Sequence, residues 1–234
     1  MDLVAGVDGC KAGWLLVSVD ATGRIRSAVF PTPTDLCAAN AKADVVAVDV
    51  PIGLTDSGPR LCDQEARKVL RSPRASSVFS PPIRPILHAE TREDASIAQK
   101  QIDGRGMGVQ AWGIFPKICE WDIYLRTHRN VAKRTFEVHP EVSFWALNAS
   151  RPMQYGKKSR EGRRERRELL AREFGASAID EARSCHTRRD VADDDLHDAF
   201  VALWTASRIH AGVAKCIPDS PPHDSVGLPM AIWS

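Results

Sequence analysis

No stretch of this 234-residue chain is apolar for long enough to span a bilayer. None of its six cysteines, at positions 10, 37, 62, 119, 185 and 216, falls in a C-x-x-C pair. The seven histidines show no H-x-x-x-H or H-E-x-x-H spacing, which argues against a zinc site. The opening residues, Met1-Asp2-Leu3-Val4, have neither the basic region nor the apolar run of an export signal. These absences lead us to expect reduced thiols and a cytoplasmic protein with no membrane partner. An excess of charge of one sign is also missing. The chain has 32 Lys and Arg against 30 Asp and Glu, a formal net charge of +2. No global field announces a nucleic acid, so such a partner must be recognised by a local patch.

What is present is ordinary for a folded protein: 43% apolar and 26% charged residues. The length favours a single domain over residues 1–234 with a sizeable core. No internal repeat or low-complexity linker divides it.

Leu3–Asp8, Trp14–Asp20 and Arg24–Phe30 read as three strands joined by turns at Gly9–Gly13 and Thr22-Gly23. A short helix to about Lys42 follows, with Thr34 as its expected N-cap. Val45–Val50 is a β-branched run suited to a strand buried on both faces. Helices are expected at 60–70, 89–102 and 113–128, with a Ser- and Pro-rich loop at 72–87. A strand at Lys133–Val138 and a helical turn at 141–148 come next. Asp195 to about Gly212 has the apolar spacing of an amphipathic helix, and Gly227–Trp233 suggests a last edge strand. The order of elements predicts an α/β fold with a mixed sheet, flanked by helices.

The carboxylates carry the chemistry. Asp8 ends the first strand and Asp49 lies inside the fourth, where an isolated carboxylate must neutralise, pair or bind metal. Asp195 and Asp198 form a D-x-x-D at a helix start, so both project from one helix face. Glu137 ends the next strand and is placed to join from the side. Two carboxylates about 4 Å apart repel by about 4 kcal/mol at an effective dielectric near 20, a cost that a divalent cation removes. Oxygen-only ligands favour Mg²⁺ or Mn²⁺, and a pair of such ions suits phosphodiester hydrolysis. Plainer roles exist for each residue. Asp8 and Asp49 can serve their adjoining turns, Asp195 and Asp198 can cap the helix, and Glu137 can pair with a basic residue.

Longer motifs frame these residues. They are Gly6-Val7-Asp8-Gly9-Cys10-Lys11-Ala12-Gly13-Trp14, Asp49-Val50-Pro51-Ile52-Gly53-Leu54 and Arg60-x-Cys62-Asp63. Further on come Ser76-Ser77-Val78-Phe79-Ser80-Pro81-Pro82 and Gln110-Ala111-Trp112-Gly113-Ile114-Phe115-Pro116-Lys117-Ile118. Last are Glu137-Val138-His139-Pro140-Glu141-Val142-Ser143-Phe144-Trp145 and Asp194-Asp195-x-x-Asp198-Ala199. Together they resemble the domain of unknown function 429 (DUF429) family, predicted to be RNase H-like nucleases. The resemblance implies an RNase H-like domain with a five-stranded mixed sheet and a helical insertion after the fourth strand. It also implies a metal-dependent nuclease in which Asp8, Asp49, Asp195 and Asp198 hold Mg²⁺ or Mn²⁺. Glu137 and His139 belong to the motifs without a clear counterpart in such nucleases.

Residues 151–172 hold nine Lys or Arg against three Glu. Lys157 and Lys158 are the better phosphate ligands there, because Glu161, Glu165 and Glu168 lie within pairing distance of Arg163, Arg164, Arg166 and Arg167. Gln110 and Lys117 are further candidates for substrate contact. Trp112 has the features of a core residue more than of a base-stacking one. Arg60, Asp63 and Arg67 suggest an ion-pair network, and Ser76–Pro82 either a lid or a packed connection. The leading expectation is a nuclease acting on DNA or RNA. The alternatives are a nucleotide-binding phosphotransferase that uses the Asp8-Gly9-x-x-x-Gly13 turn, and a non-catalytic module that binds nucleic acid or protein. A homodimer would suit a junction-resolving enzyme, although the sequence carries no signature of one.

Overall fold

The structure, a computed structural model, describes residues 2–234. β1 (Asp2–Cys10), β2 (Gly13–Asp20) and β3 (Ile25–Phe30) form the expected antiparallel meander. Gly13 permits the first reversal. Its φ of +133° suits glycine, and a Cβ there would lie 2.3 Å from the Phe30 carbonyl oxygen. α1 (Pro33–Ala39) follows, capped by Thr32 and not by Thr34. Thr32 is extended and accepts the Asp35 N–H, whereas Thr34 already lies within the first turn behind the favoured N1 proline.

β4 (Val45–Val48) enters parallel to β1, and β5 (Thr135–Glu137) adds beyond it, again parallel. The strand order is β3-β2-β1-β4-β5. This is an α/β architecture with a five-stranded mixed sheet, and its topology is consistent with the RNase H-like fold. The insertion between β4 and β5 is helical, as expected: α2 (Leu61–Arg74), α3 (Arg92–Asp103), α4 (Val109–Gly113), α5 (Phe115–Thr127) and α6 (Arg129–Ala132). After β5 come α7 (Pro140–Leu147), α8 (Arg160–Phe174), α9 (Ala176–Ser184) and α10 (Asp193–His210).

Three expectations need correction. Residues 72–87 are not one loop. α2 runs to Arg74 across a break at Arg71 and Ser72, and single 3₁₀ turns follow at Ala75–Ser77 and Arg84–Ile86. α9 has no counterpart in the sequence reading, because only Ile179 and Ala182 of its nine residues are buried and the apolar period is faint. The tail forms only a short strand, which touches the main sheet by a single parallel bridge from Trp233 to Val138. β7 (Ile232–Trp233) pairs with β6 (Cys216–Ile217) in a separate two-stranded ribbon.

Alternation along the strands divides the core in two. Val4, Val45 and Ala47 face α8, α9 and α10, where they meet Leu170, Ile179, Ala199, Phe200 and Leu203. Ala5, Val7, Val46 and Val48 face α1 and α5, where they meet Leu36, Ile118, Trp121 and Leu125. α10 lies directly on β1 at Gly6. A Cβ added there would sit 2.0 Å from the Leu203 amide nitrogen and 2.3 Å from the Ala199 carbonyl oxygen. Gly6→Ala is therefore expected to cost about 2–3 kcal/mol by overpacking, lowering Tm by about 4–12 °C in a chain of this size. Scanning calorimetry checks this, and an unchanged Tm would show slack between α10 and β1.

Candidate active site

The parallel register pairs Val7 with Val48, so Asp8 and Asp49 leave their strands side by side. The Asp49 N–H donates to the Val7 carbonyl at 2.9 Å and extends the pairing one step past β4. By strand alternation both aspartates share the face of Val4 and Ala47, the face that α10 covers. Two turns of α10 are polar towards this edge, and the fully buried Asp198 comes down beside the two strand-end carboxyls. Asp198 Oδ2 accepts a 2.6 Å bond from Lys157 Nζ, while its Oδ1 is buried without a partner.

The field here is strongly negative. Burial, followed by the charges of Asp49 and Asp198, pushes the Asp8 carboxyl well above the usual range. Burial, followed by Asp198, pushes Asp49 up to about 7. Burial also raises Asp195. The neighbouring Asp198 pulls Lys157 up, which fixes it as an ammonium. That single cation opposes Asp8, Asp49 and Asp198 together.

Glu137 lines the same cleft and its charge reaches Asp49, but it leaves its strand on the other face. It pairs with Val48 in the register and so faces away from Asp8 and Asp49. Its two oxygens lie 2.7 Å from Arg60 guanidinium nitrogens, and it also accepts the Ile52 N–H at 2.7 Å. Burial lifts Glu137 to about 7 against the pull of Arg60. Arg60 also binds Asp63 and the Ile52 and Gly53 carbonyls, so this network shapes the exit of β4. The expected third member, Arg67, instead donates to the Val78 carbonyl and Ser80 Oγ and ties down the Ser76–Pro82 loop as a cleft wall.

Asp195 lines the same cleft, but its Oδ2 accepts the Ala192 N–H and completes a helix cap. Lys158 is exposed at the rim, as is Gln110. Lys117 donates to the Gly13 carbonyl at 2.7 Å and lies 4.3 Å from the Trp14 ring centre. Trp112 packs against Phe115 in a small core cluster. Arg166 is no phosphate ligand, since it is 1% exposed and grips Glu141 with two bonds. Asp8, Asp49, Gln110, Lys117, Glu137, Lys157, Lys158 and Asp195 bound one open space of about 670 Å³.

Two partners escaped the sequence reading. Lys157 was expected to be without an acid, yet it meets Asp198, 41 residues away. His139 also lines the cleft. Its Nε2 lies 3.3 Å from the Ser77 carbonyl, its Nδ1 is buried and unpartnered, and burial lowers its pKa. No local spacing signals either contact.

Among the described residues no group of three or more His, Cys, Asp or Glu is already set out to hold a metal ion. Asp195 is committed to its cap and Asp198 Oδ2 to Lys157. The donor set nevertheless fits a hard divalent cation. It consists of oxygens only, one of them orphaned, and its carboxyl groups are strained by mutual repulsion. Asp8, Asp49 and Asp198 would hold the ion, and Lys157 would have to give way at Asp198.

Asp49 makes stability depend on pH. Its folded value of about 7 lies above an unfolded value of about 3.9, so the native state retains a proton between them. The stability contributed by this group is complete below about pH 4 and is lost as the pH rises through about 7. Without metal, Asp49→Asn is expected to exceed the wild type by about 2 kcal/mol above about pH 8, discounted for partial exposure. The gap should close in acid. Urea midpoints across pH check this, and parallel curves for the two proteins would contradict it.

The family model described as protein of unknown function (DUF429) matches residues 6–223. No curated protein and no solved structure matches the chain. With nearly its whole length matched, the chain belongs to the DUF429 family.

Proposed function

We propose that this protein hydrolyses phosphodiester bonds of DNA or RNA, with Mg²⁺ or Mn²⁺ held by Asp8, Asp49 and Asp198. The observation that carries the reading is the charge deficit at the sheet edge. Three carboxyl groups on two strand ends and one helix face a single ammonium, beneath an open cleft. Ligands in open α/β sheets gather at the carboxyl ends of the strands, where these groups stand.

A bound divalent cation supplies charge neutralisation and polarises the phosphoryl oxygen. The side chains do the rest. Asp8 and Asp49 are fixed by β pairing and provide rigid oxygen donors. Asp198 brings the third from α10. Lys157, once released from Asp198, carries an ammonium to a phosphate oxygen, and Lys158 adds a second cation at the rim. His139, kept neutral by burial, has a free Nδ1 and is suited to accept a proton from an attacking water. Gln110 and Lys117 also line the cleft. Glu137 and Asp195 serve structure, through Arg60 and the helix cap. The Lys117 side chain covers Gly9 and is bonded to Gly13, which weighs against the phosphotransferase alternative.

Calorimetric titration of Mn²⁺ into wild type and Asp8→Asn, followed by assays on single-stranded, duplex and branched nucleic acids, tests the reading. The wild type is expected to bind Mn²⁺ and cut at least one substrate. The variant is expected to lose binding and to cut at least about 100-fold more slowly, a loss of several kcal/mol of transition-state stabilisation. Absence of Mn²⁺ binding in the wild type, or equal cutting by both proteins, would overturn it.

A further inference from the structure

A second concavity, of about 730 Å³, lies between α8, α9 and the start of α10. Six arginines line it: Arg160, Arg163, Arg164 and Arg167 from α8, Arg183 from α9, and Arg188 beyond it. Only Glu161, Asp180 and Asp193 oppose them there. In a chain whose net charge is +2, this is a local concentration of cations. Arg167 and Arg183 are committed to the walls, Arg167 through Asp180 at 2.9 Å and Arg183 through the Val191 and His186 carbonyls. Arg163 ties back to the Lys158 carbonyl at 2.6 Å, whereas Arg160, Arg164 and Arg188 keep donors for a ligand. Arg164 and Arg188 are each 76% exposed, with acid contacts of only 3.5 and 3.4 Å, and Arg160 is exposed at the first position of α8. His197, 6% exposed, lines the groove with an unpartnered Nδ1.

The groove and the acidic cleft are the two sides of one helical turn. Asp193 and His197, four residues apart on α10, face the groove, whereas Asp194 and Asp195 line the cleft. The chain entering α8 joins the two. Lys157 and Lys158 line the cleft, and from Arg160 onward the same segment lines the groove. We infer that this groove binds the phosphate backbone of a nucleic-acid strand whose reactive segment lies in the acidic cleft. The inference rests on the nuclease reading for the cleft, while the groove's own chemistry selects a polyanion. Guanidinium forks bind phosphate oxygens in pairs. Arg160 to Arg167 spans about 10 Å of helix, the rise of about three nucleotides along one strand of a duplex.

The test measures binding of short labelled single-stranded DNA, its duplex and the matching RNA over a salt series. EDTA is present so that no strand is cut. The proteins are wild type, the triple variant R160Q/R164Q/R188Q, and R160K/R164K/R188K, which keeps the charge. These side chains are exposed, so the variants should fold. The glutamine variant is expected to bind at least about tenfold more weakly, with a slope of log K against log salt smaller by about two on single strands and about three on duplex, as for three lost phosphate contacts. The lysine variant is expected to keep most of the slope. The preferred nucleic acid is the one that shows the largest difference. Equal affinity and slope in wild type and glutamine variant would overturn the inference. So would a wild type that binds none of the three, or one from which polyglutamate displaces the strand as well as unlabelled nucleic acid does. If wild type cuts nothing in the separate Mn²⁺ assays yet the arginine dependence holds in EDTA, the groove stands and the cleft reading falls.

Discussion

The repulsion among Asp8, Asp49 and Asp198 is the constraint around which the rest of the molecule is arranged. Burial and the neighbouring charges make it costly for Asp8 and Asp49 to ionise, so these strand-end carboxyls hold their protons more tightly than free ones do, and Lys157 is drawn onto Asp198 at 2.6 Å. The surrounding fold holds these groups together in spite of the cost. Parallel pairing of β1 with β4 fixes two of them, and the backbone contact of α10 with Gly6 fixes the third. Natural proteins retain such unfavourable placements where function uses them.

Other acids of the cleft are answered by arginines. Arg60 answers Glu137 and Asp63 at the exit of β4, and Arg166 answers Glu141 beneath α8. Each is a buried carboxylate with a guanidinium on it. Removing the base would strand the acid, and such losses typically cost about 3–5 kcal/mol. The contrast is informative: the neighbouring acids have dedicated arginines, whereas the sheet-edge aspartates share one flexible lysine whose side chain is 43% exposed. A ligand that displaces Lys157 therefore disturbs little else.

The sheet was legible because its signals are local. Turns at Gly9–Gly13 and Thr22-Gly23, the β-branched run at Val45, and a carboxylate at each strand end lie within a few residues of one another. That Asp8 and Asp49 meet follows from chain order once β1 and β4 are neighbours. The face on which Glu137 leaves β5 was not legible, because it turns on the parity of a register between strands about ninety residues apart. The same holds for Lys157 on Asp198 and for Arg60 on Glu137, contacts made across 41 and 77 residues. The basic segment was visible as composition, but which arginines are buried and which line a groove depends on the helix face, and Glu141 and Asp180 decide that from elsewhere in the chain.

The most direct measurement is a crystal structure grown with Mn²⁺, with anomalous diffraction recorded to locate the ion. The predicted result is a Mn²⁺ peak ligated by Asp8, Asp49 and Asp198, with Lys157 Nζ moved off Asp198 Oδ2. A structure in which Lys157 still holds Asp198 and no anomalous peak lies at the ends of β1 and β4 would contradict the proposed metal site.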